Sequence, residues 1–261
     1  MKSSARHLAA AAAALAVLPL LAGCGGDGGR PASPAEGAAP AASDLRLTVT
    51  TDNGVRLRPT DGDRVGVDPA ATPHWSRQGR TQVLDLSCHG RDQQDQQDQQ
   101  DQQEPARPCP RMPEVDVPAG ASVTVTARNA GIDVAGVTGA LDLTTVNGDV
   151  TVAGSGAKDA TVRLVTRNGS VRATTVRAAA LHARTVNGDV TLDCATAPGQ
   201  ASGRTVNGSV DVTVPHDSPA YRVAATTDNG RPAVTVPTDG AGSDRTMTLA
   251  TVNGDVRAAR E

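Results

Sequence analysis

The fold of this chain follows from one hexapeptide that occurs five times: TVNGDV at 145–150, TRNGSV at 166–171, TVNGDV at 185–190, TVNGSV at 205–210 and TVNGDV at 251–256. Weaker copies surround Asn129 and Asn229, so that the asparagines recur every 18 to 24 residues. A nearly verbatim motif at such a period is typical of a repeat protein, in which each unit packs only against its neighbours.

Apolar and polar residues alternate on both sides of each Asn-Gly pair, as in Leu141 and Leu143 before the first pair and Val150 and Val152 after it. This alternation predicts half-buried strands, and Asn-Gly predicts a tight turn with positive φ. We therefore expect two strands per repeat. Counting from the asparagine as zero, we expect residues −2 and −4 on the first strand to lie opposite residues +3 and +5 on the second. The predicted turn residues are Asn147, Gly148, Asn168, Gly169, Asn187, Gly188, Asn207, Gly208, Asn229, Gly230, Asn253 and Gly254.

One such unit exposes a bare apolar face, which stacked units can share. We therefore predict an all-β fold: a β-solenoid, single-stranded and β-helix-like, of Asn-Gly repeats about 20 residues long. The stacked asparagine side chains are expected to form a hydrogen-bonded ladder. The chain has no Phe, one Trp and one Tyr, which suits a narrow interior. An antiparallel β-meander or sandwich is the alternative that the pattern leaves open.

Residues 1–23 predict a lipoprotein signal peptide. Lys2 and Arg6 precede an apolar segment, and Leu21-Ala22-Gly23-Cys24 resembles the bacterial lipobox. That resemblance implies cleavage before Cys24 and lipidation of its thiol. Because two or more acyl chains anchor a protein stably, we expect an extracytoplasmic protein, lipid-anchored to the bacterial cell membrane.

The rest of the chain divides by composition. Residues 24–43 are rich in Gly, Pro and Ala and predict a disordered linker. Residues 44–118 predict an N-terminal β region, and residues 119–261 the β-solenoid repeat domain. The apolar residues after Asn53 have the opposite parity to those of the repeats, which favours a cap for this N-terminal region.

Four Asp-Gln-Gln triplets at 92–103 predict a solvated loop within the N-terminal region. Cys88 and Cys109 flank this loop. In an exported protein such a pair predicts a disulfide rather than a metal site. Cys194 has inward parity and is interpreted as a buried, unpaired thiol.

No motif with catalytic or metal-binding spacing is found, so we expect no enzyme activity, no metal and no cofactor. The formal net charge of −3 argues against nucleic-acid binding. The acids of the Asn-Gly-Asp copies are interpreted as solvated turn residues rather than calcium ligands. Arg163, Arg172, Arg177 and Arg184 have outward parity and are interpreted as a solubilising surface.

The ThrValAsnGlyAspVal repeats behind a lipobox resemble the putative-adhesin β-strand-repeat family of bacterial lipoproteins, a family of unknown function. The resemblance covers residues 45–261 and is most specific over 119–261. It implies a surface-exposed β-repeat module, with adhesion or envelope scaffolding as the expected function. A glycan-binding module or a carbohydrate-active β-helix enzyme is the alternative. The expected partners are the membrane, through the lipid anchor, and an envelope glycan or protein; the oligomeric state stays open.

Overall fold

Strands make up every regular element of the computed structural model, which describes residues 45–87, 110–239 and 242–261. In chain order they are β1 (Arg46–Thr50), β2 (Val55–Thr60), β3 (Gly66–Val67), β4 (His74–Gln78), β5 (Thr81–Asp85), β6 (Glu114–Pro118), β7 (Ser122–Thr126), β8 (Ile132–Ala135), β9 (Leu141–Thr144), β10 (Val150–Ala153), β11 (Gly156–Val165), β12 (Val171–Arg184), β13 (Val190–Cys194), β14 (Gln200–Arg204), β15 (Val210–Val214), β16 (Arg222–Asn229), β17 (Pro232–Val234), β18 (Thr246–Asn253) and β19 (Val256–Arg260).

The strands stack into two sheets, which we call sheet A and sheet B, and the chain passes from one to the other in each coil. The long strand β12 belongs to both, because its N-terminal part pairs in sheet B and its C-terminal part in sheet A. Sheet A has the order β4-β5-β1-β7-β9-β11-β12-β14-β18-β16. Sheet B has the order β3-β6-β2-β8-β10-β12-β13-β15-β19-β17. In the described chain, every pair is parallel except β4–β5 and β3–β6. The predicted β-solenoid is therefore confirmed, and the antiparallel meander is excluded.

The two strands that flank an Asn-Gly pair do not pair with each other. β9 and β10, on either side of Asn147, lie in different sheets, and each bonds to the strands of neighbouring coils. The expectation that positions −2 and −4 lie opposite +3 and +5 is therefore wrong. The dipeptide forms a corner between two sheets, because stacking coils can satisfy the backbone of both strands without a hairpin.

Inward-facing residues form aligned rows along the stack. One row of sheet B comprises Val55, Ile132, Val150, Val171, Val190, Val210 and Val256, all with at most 1% of their surface exposed. Val55 joins this row although it lies two residues after Asn53, whereas the other members lie three residues after their asparagines. The opposite parity after Asn53 thus reflects one residue fewer at the corner, and β1–β2 is a coil of the stack.

Stacking order and chain order differ at both ends. The coil β5–β6 lies outside β1–β2, and β16–β17 lies outside β18–β19. The last strand, β19, is therefore hydrogen-bonded on both sides, to β15 and β17. The charged C-terminal residues Arg257 and Arg260 therefore lie on an interior coil and do not shield an end of the stack. At the N-terminal end the antiparallel strands β3 and β4 cover the outermost coil.

Several predictions fall on residues that the structure does not describe. The signal peptide, Cys24, the linker at 24–43, the Asp-Gln-Gln run at 92–103, and the pair Cys88 and Cys109 all lie outside the described residues. Within the described ranges, no helix has the length and apolar character needed to cross a bilayer.

Candidate interaction surface

A ladder of asparagine amides runs along the corner between the sheets. Each Nδ2 donates to the Oδ1 of the next asparagine in the stack. The distances are 3.3 Å from Asn147 to Asn129, 2.8 Å from Asn168 to Asn147, 2.9 Å from Asn187 to Asn168, 2.8 Å from Asn207 to Asn187, 2.9 Å from Asn253 to Asn207 and 2.9 Å from Asn229 to Asn253. The ladder expected from the repeated asparagines is thus present, and it follows the stacking order.

A second ladder lies just inside the first and uses the threonine two residues before each asparagine. Its hydroxyl donates to the carbonyl of the residue after the neighbouring coil's asparagine, as Thr185 Oγ1 does to Gly169 O at 2.8 Å. The other bonds join Thr145 to Ala130, Thr166 to Gly148, Thr205 to Gly188, Thr251 to Gly208 and Thr227 to Gly254, at 2.7–2.9 Å. The alternation of apolar and polar residues placed these threonines inward but did not predict their hydrogen bonds to the neighbouring coil. Their constant spacing of two residues before each asparagine is the signal that could have predicted these bonds.

The corner requires glycine because neighbouring coils approach each other closely there. Gly188 has φ of 144°, a region that side chains rarely adopt. A β-carbon at this position would collide with the carbonyl oxygen of Gly169 in the adjacent coil. The same relation joins Gly208 to Gly188 and Gly254 to Gly208.

The residue after each glycine forms a third ladder, in which acids alternate with serines. Asp149 Oδ1 accepts the Ser170 N–H at 2.7 Å, and Ser170 Oγ accepts the Asp189 N–H at 3.2 Å. The alternation continues through Ser209 and Asp255. Carboxylates therefore lie two coils apart, at about 9.6 Å instead of about 4.8 Å, which weakens their repulsion.

The outward face of sheet B balances its charges across neighbouring strands. Arg58 pairs with Asp133 at 3.0 Å, and Arg257 lies 3.4 Å from Asp211. Such cross-strand pairs of opposite charge stabilise a sheet. This face is therefore largely self-neutralised.

The outward face of sheet A instead collects arginines over three consecutive coils. Arg163 and Arg167 lie on the first coil, His182 and Arg184 on the second, and Arg204 on the third. We call these five residues the basic strip. Arg163 lies 3.6 Å from Asp142, and both side chains are about half exposed. The sequence pattern gave Arg163 and Arg184 outward parity, and the register places them on neighbouring strands of one sheet face.

Residues 119–258, more than half of the chain, match the family described as Toastrack DUF4097. The chain belongs to the Toastrack DUF4097 family. This match confirms the resemblance read from the repeats. No curated protein matches the sequence.

Two solved structures are similar to this Toastrack chain. A "putative cell adhesion protein" from Clostridium sporogenes is 8% identical with a TM-score of 0.39, covering 85% of this chain and 95% of its own. A "putative adhesin" from Bacteroides fragilis is 14% identical with a TM-score of 0.36, covering 83% of this chain and 91% of its own.

The C-terminal coils of this Toastrack chain are fastened by Tyr221, which is fully buried. Its hydroxyl donates to Pro198 O at 3.0 Å, and the same carbonyl accepts Arg245 Nη1 at 3.0 Å. Burial raises the pKa of Tyr221 to about 12. The loop before β14 is thereby tied to the segment before β18.

Cys194 is buried and unpaired, as its inward parity predicts. Burial, and secondarily the charge of Asp193, raises the pKa of its thiol to about 12. A thiol in this state is a poor nucleophile. In the described ranges, no group of three or more His, Cys, Asp or Glu side chains is placed to hold a metal ion.

Proposed function

We propose that this chain is a non-enzymatic, surface-anchored lipoprotein whose β-solenoid serves in adhesion or envelope scaffolding. The observation that carries the proposal is the pair of broad outward sheet faces, which present side chains in fixed register. Three corner ladders hold neighbouring coils together, so these faces are rigid before any partner arrives. A preordered surface loses little conformational entropy on binding, which favours contact with an extended partner.

The lipobox at Leu21–Cys24 supports the location that this function needs. A diacylated Cys24 would hold the chain at the outer side of the cell membrane, and the Gly- and Pro-rich residues 24–43 would act as a tether. The solenoid would then reach envelope material outside the bilayer.

The alternative of a carbohydrate-active enzyme has less support. Such an enzyme needs acids that converge on a substrate. Instead, Asp133 and Asp211 of sheet B pair with Arg58 and Arg257. The acids of the corner, such as Asp149, accept backbone N–H groups. Glycan binding without catalysis is supported by the basic strip on sheet A.

The proposal is tested in cells that express the full chain, with Cys24→Ala as the matched control. We expect the wild-type chain to incorporate radiolabelled palmitate, to be cleaved by protease added outside the cells, and to retain envelope glycan or protein in a pull-down. Cys24→Ala should lose the label. A wild-type chain that is inaccessible to protease, or that retains neither kind of envelope material, would contradict the proposal.

A further inference from the structure

Two arginines lie side by side at the centre of the basic strip. Arg184 on β12 and Arg204 on β14 are register partners in parallel strands, and both are exposed. Their α-carbons are separated by about 4.8 Å, and both side chains extend from the outward face. Like charges placed directly opposite each other destabilise a sheet. This pair therefore carries a cost that the fold itself does not require.

Among the described residues, no acid occupies a register or diagonal position around the pair. The other register partner of Arg184 is Val165, and that of Arg204 is Ala250. The diagonal positions around the pair hold arginines, a histidine, hydroxyl residues and valines. They are Arg163, Arg167, His182, Val186, Ser202, Val206, Thr248 and Val252. Sheet B, by contrast, places an acid beside Arg58 and beside Arg257.

We propose that the basic strip binds a linear acidic polysaccharide through Arg184 and Arg204. This inference rests on the proposed surface location and names the ligand class for that surface. A planar guanidinium binds a carboxylate through two parallel hydrogen bonds, and two adjacent guanidiniums can hold one carboxylate between them. A ligand carboxylate thus supplies the negative charge that Arg184 and Arg204 do not find at their neighbouring positions in the sheet.

The shape of the strip favours a polymer over a small anion. The strip lies on an open sheet face and extends over three coils, which corresponds to about 10 Å along the stack. A flat surface cannot enclose a small ion, so its affinity must come from several contacts spread along a chain. Arg167, one coil before Arg184, provides a further cationic contact, whereas Arg163 on the same coil lies 3.6 Å from Asp142.

The neighbours of the arginines favour a polysaccharide over a lipid surface. Ser202 and Thr248 offer hydroxyls, and the exposed asparagine ladder offers amides, which match the hydrogen-bonding groups of sugars. Val206 and Val252 add short apolar side chains at the strip's edge, 37% and 36% exposed. The strip contains no aromatic side chain of the kind that anchors a protein at a lipid interface.

Binding is tested with the full chain and immobilised polygalacturonate, a linear polymer with a carboxylate on each sugar. The test variant is Arg184→Gln/Arg204→Gln. The matched control is Arg172→Gln/Arg257→Gln, which removes the same charge from exposed positions on sheet B. Fully methyl-esterified polygalacturonate serves as the uncharged ligand.

We expect the wild type to bind polygalacturonate and to bind its methyl ester at least 10-fold more weakly. The test variant should lose at least 10-fold in affinity, whereas the sheet B control should lose less than 3-fold. The melting temperature of the test variant should stay equal or rise, because the like-charge pair is removed. Added NaCl should weaken binding by the wild type.

Equal binding to the charged and esterified polymers would overturn the proposal, as would equal losses in the two variants. Stronger binding to phosphatidylglycerol vesicles than to polygalacturonate, lost in the test variant, would also overturn it by identifying a lipid ligand. If the chain is surface-exposed and retains envelope material, but the test variant retains it equally well, the ligand assignment fails while the proposed function stands.

Discussion

Adjacent asparagines of the ladder should behave as coupled residues in a double-mutant cycle. Asn187 donates to Asn168 at 2.9 Å and accepts from Asn207 at 2.8 Å, so Asn187→Ala removes two amide bonds. Asn207→Ala also removes two, because Asn253 donates to Asn207. The double variant removes three bonds rather than four, since the bond between the two residues is counted in both single variants.

The expected magnitudes follow from a net value of about 1 kcal/mol for each hydrogen bond. Each single variant should lower the free energy of unfolding by about 2 kcal/mol, and the adjacent double variant by about 3 kcal/mol. The coupling free energy is then about 1 kcal/mol. Asn229→Ala, at the end of the ladder, removes only the bond to Asn253 and should cost about half as much as an interior variant.

The assay is urea unfolding of the full chain, with the m-value required to stay constant across variants. Asn168→Ala combined with Asn207→Ala is the control, because these residues share no bond and their losses should add. Additive losses for Asn187 and Asn207, or equal coupling in both pairs, would refute the ladder as an energetic unit.

Three further predictions concern single positions. Thr175 has φ of 54°, a strained value for a residue with a β-carbon, so Thr175→Gly should raise the free energy of unfolding by about 1 kcal/mol. Thr174→Gly is the control and should lower it. A lower free energy of unfolding for both variants in urea would contradict strain at Thr175. Gly188→Ala should lower the free energy of unfolding by at least about 2 kcal/mol, because the added β-carbon meets the Gly169 carbonyl oxygen. Gly62→Ala should change it little, because the atom nearest to the added β-carbon is 3.4 Å away. Cys194 should resist Ellman's reagent at pH 8 until urea unfolds the chain, and rapid labelling of Cys194 in the native chain would contradict its burial. Because the pKa of its thiol rises from 9.0 to about 12 on folding, the free energy of unfolding should fall as the pH rises through that range, and it should fall less in Cys194→Ala.

The repeat favoured the solenoid, because the apolar face of one unit can be covered by the next, but the same pattern left an antiparallel meander or sandwich open. The asparagine ladder followed from the same reasoning, since identical side chains at one register position must stack. Alternation also placed Cys194 and the repeat valines inward. These inferences depend on local spacing, which a single sequence displays directly.

The remaining features depend on which strands become neighbours, and local spacing does not determine that. The order β15-β19-β17 reverses the chain order of the last two coils. Arg184 and Arg204 are 20 residues apart, and only the register of β12 with β14 brings them together. The Asn-Gly pair was taken for a hairpin turn because its usual role is local, whereas here its geometry is set by the adjacent coil.

The stacking order at the C-terminal end is the most direct test of the architecture. In the structure Val206 lies beside Val252, and Asp228 lies beyond Val252. The α-carbons of adjacent coils are about 4.8 Å apart, within the range that a disulfide spans, whereas coils two apart are separated by about 9.6 Å.

The measurement is oxidation of two cysteine-pair variants of the full chain, followed by peptide mapping of the cross-linked products by mass spectrometry. We expect a disulfide in Val206→Cys/Val252→Cys and none between the introduced cysteines in Val206→Cys/Asp228→Cys. Efficient cross-linking of positions 206 and 228, with none between 206 and 252, would show that the coils stack in chain order and would contradict the order β14-β18-β16.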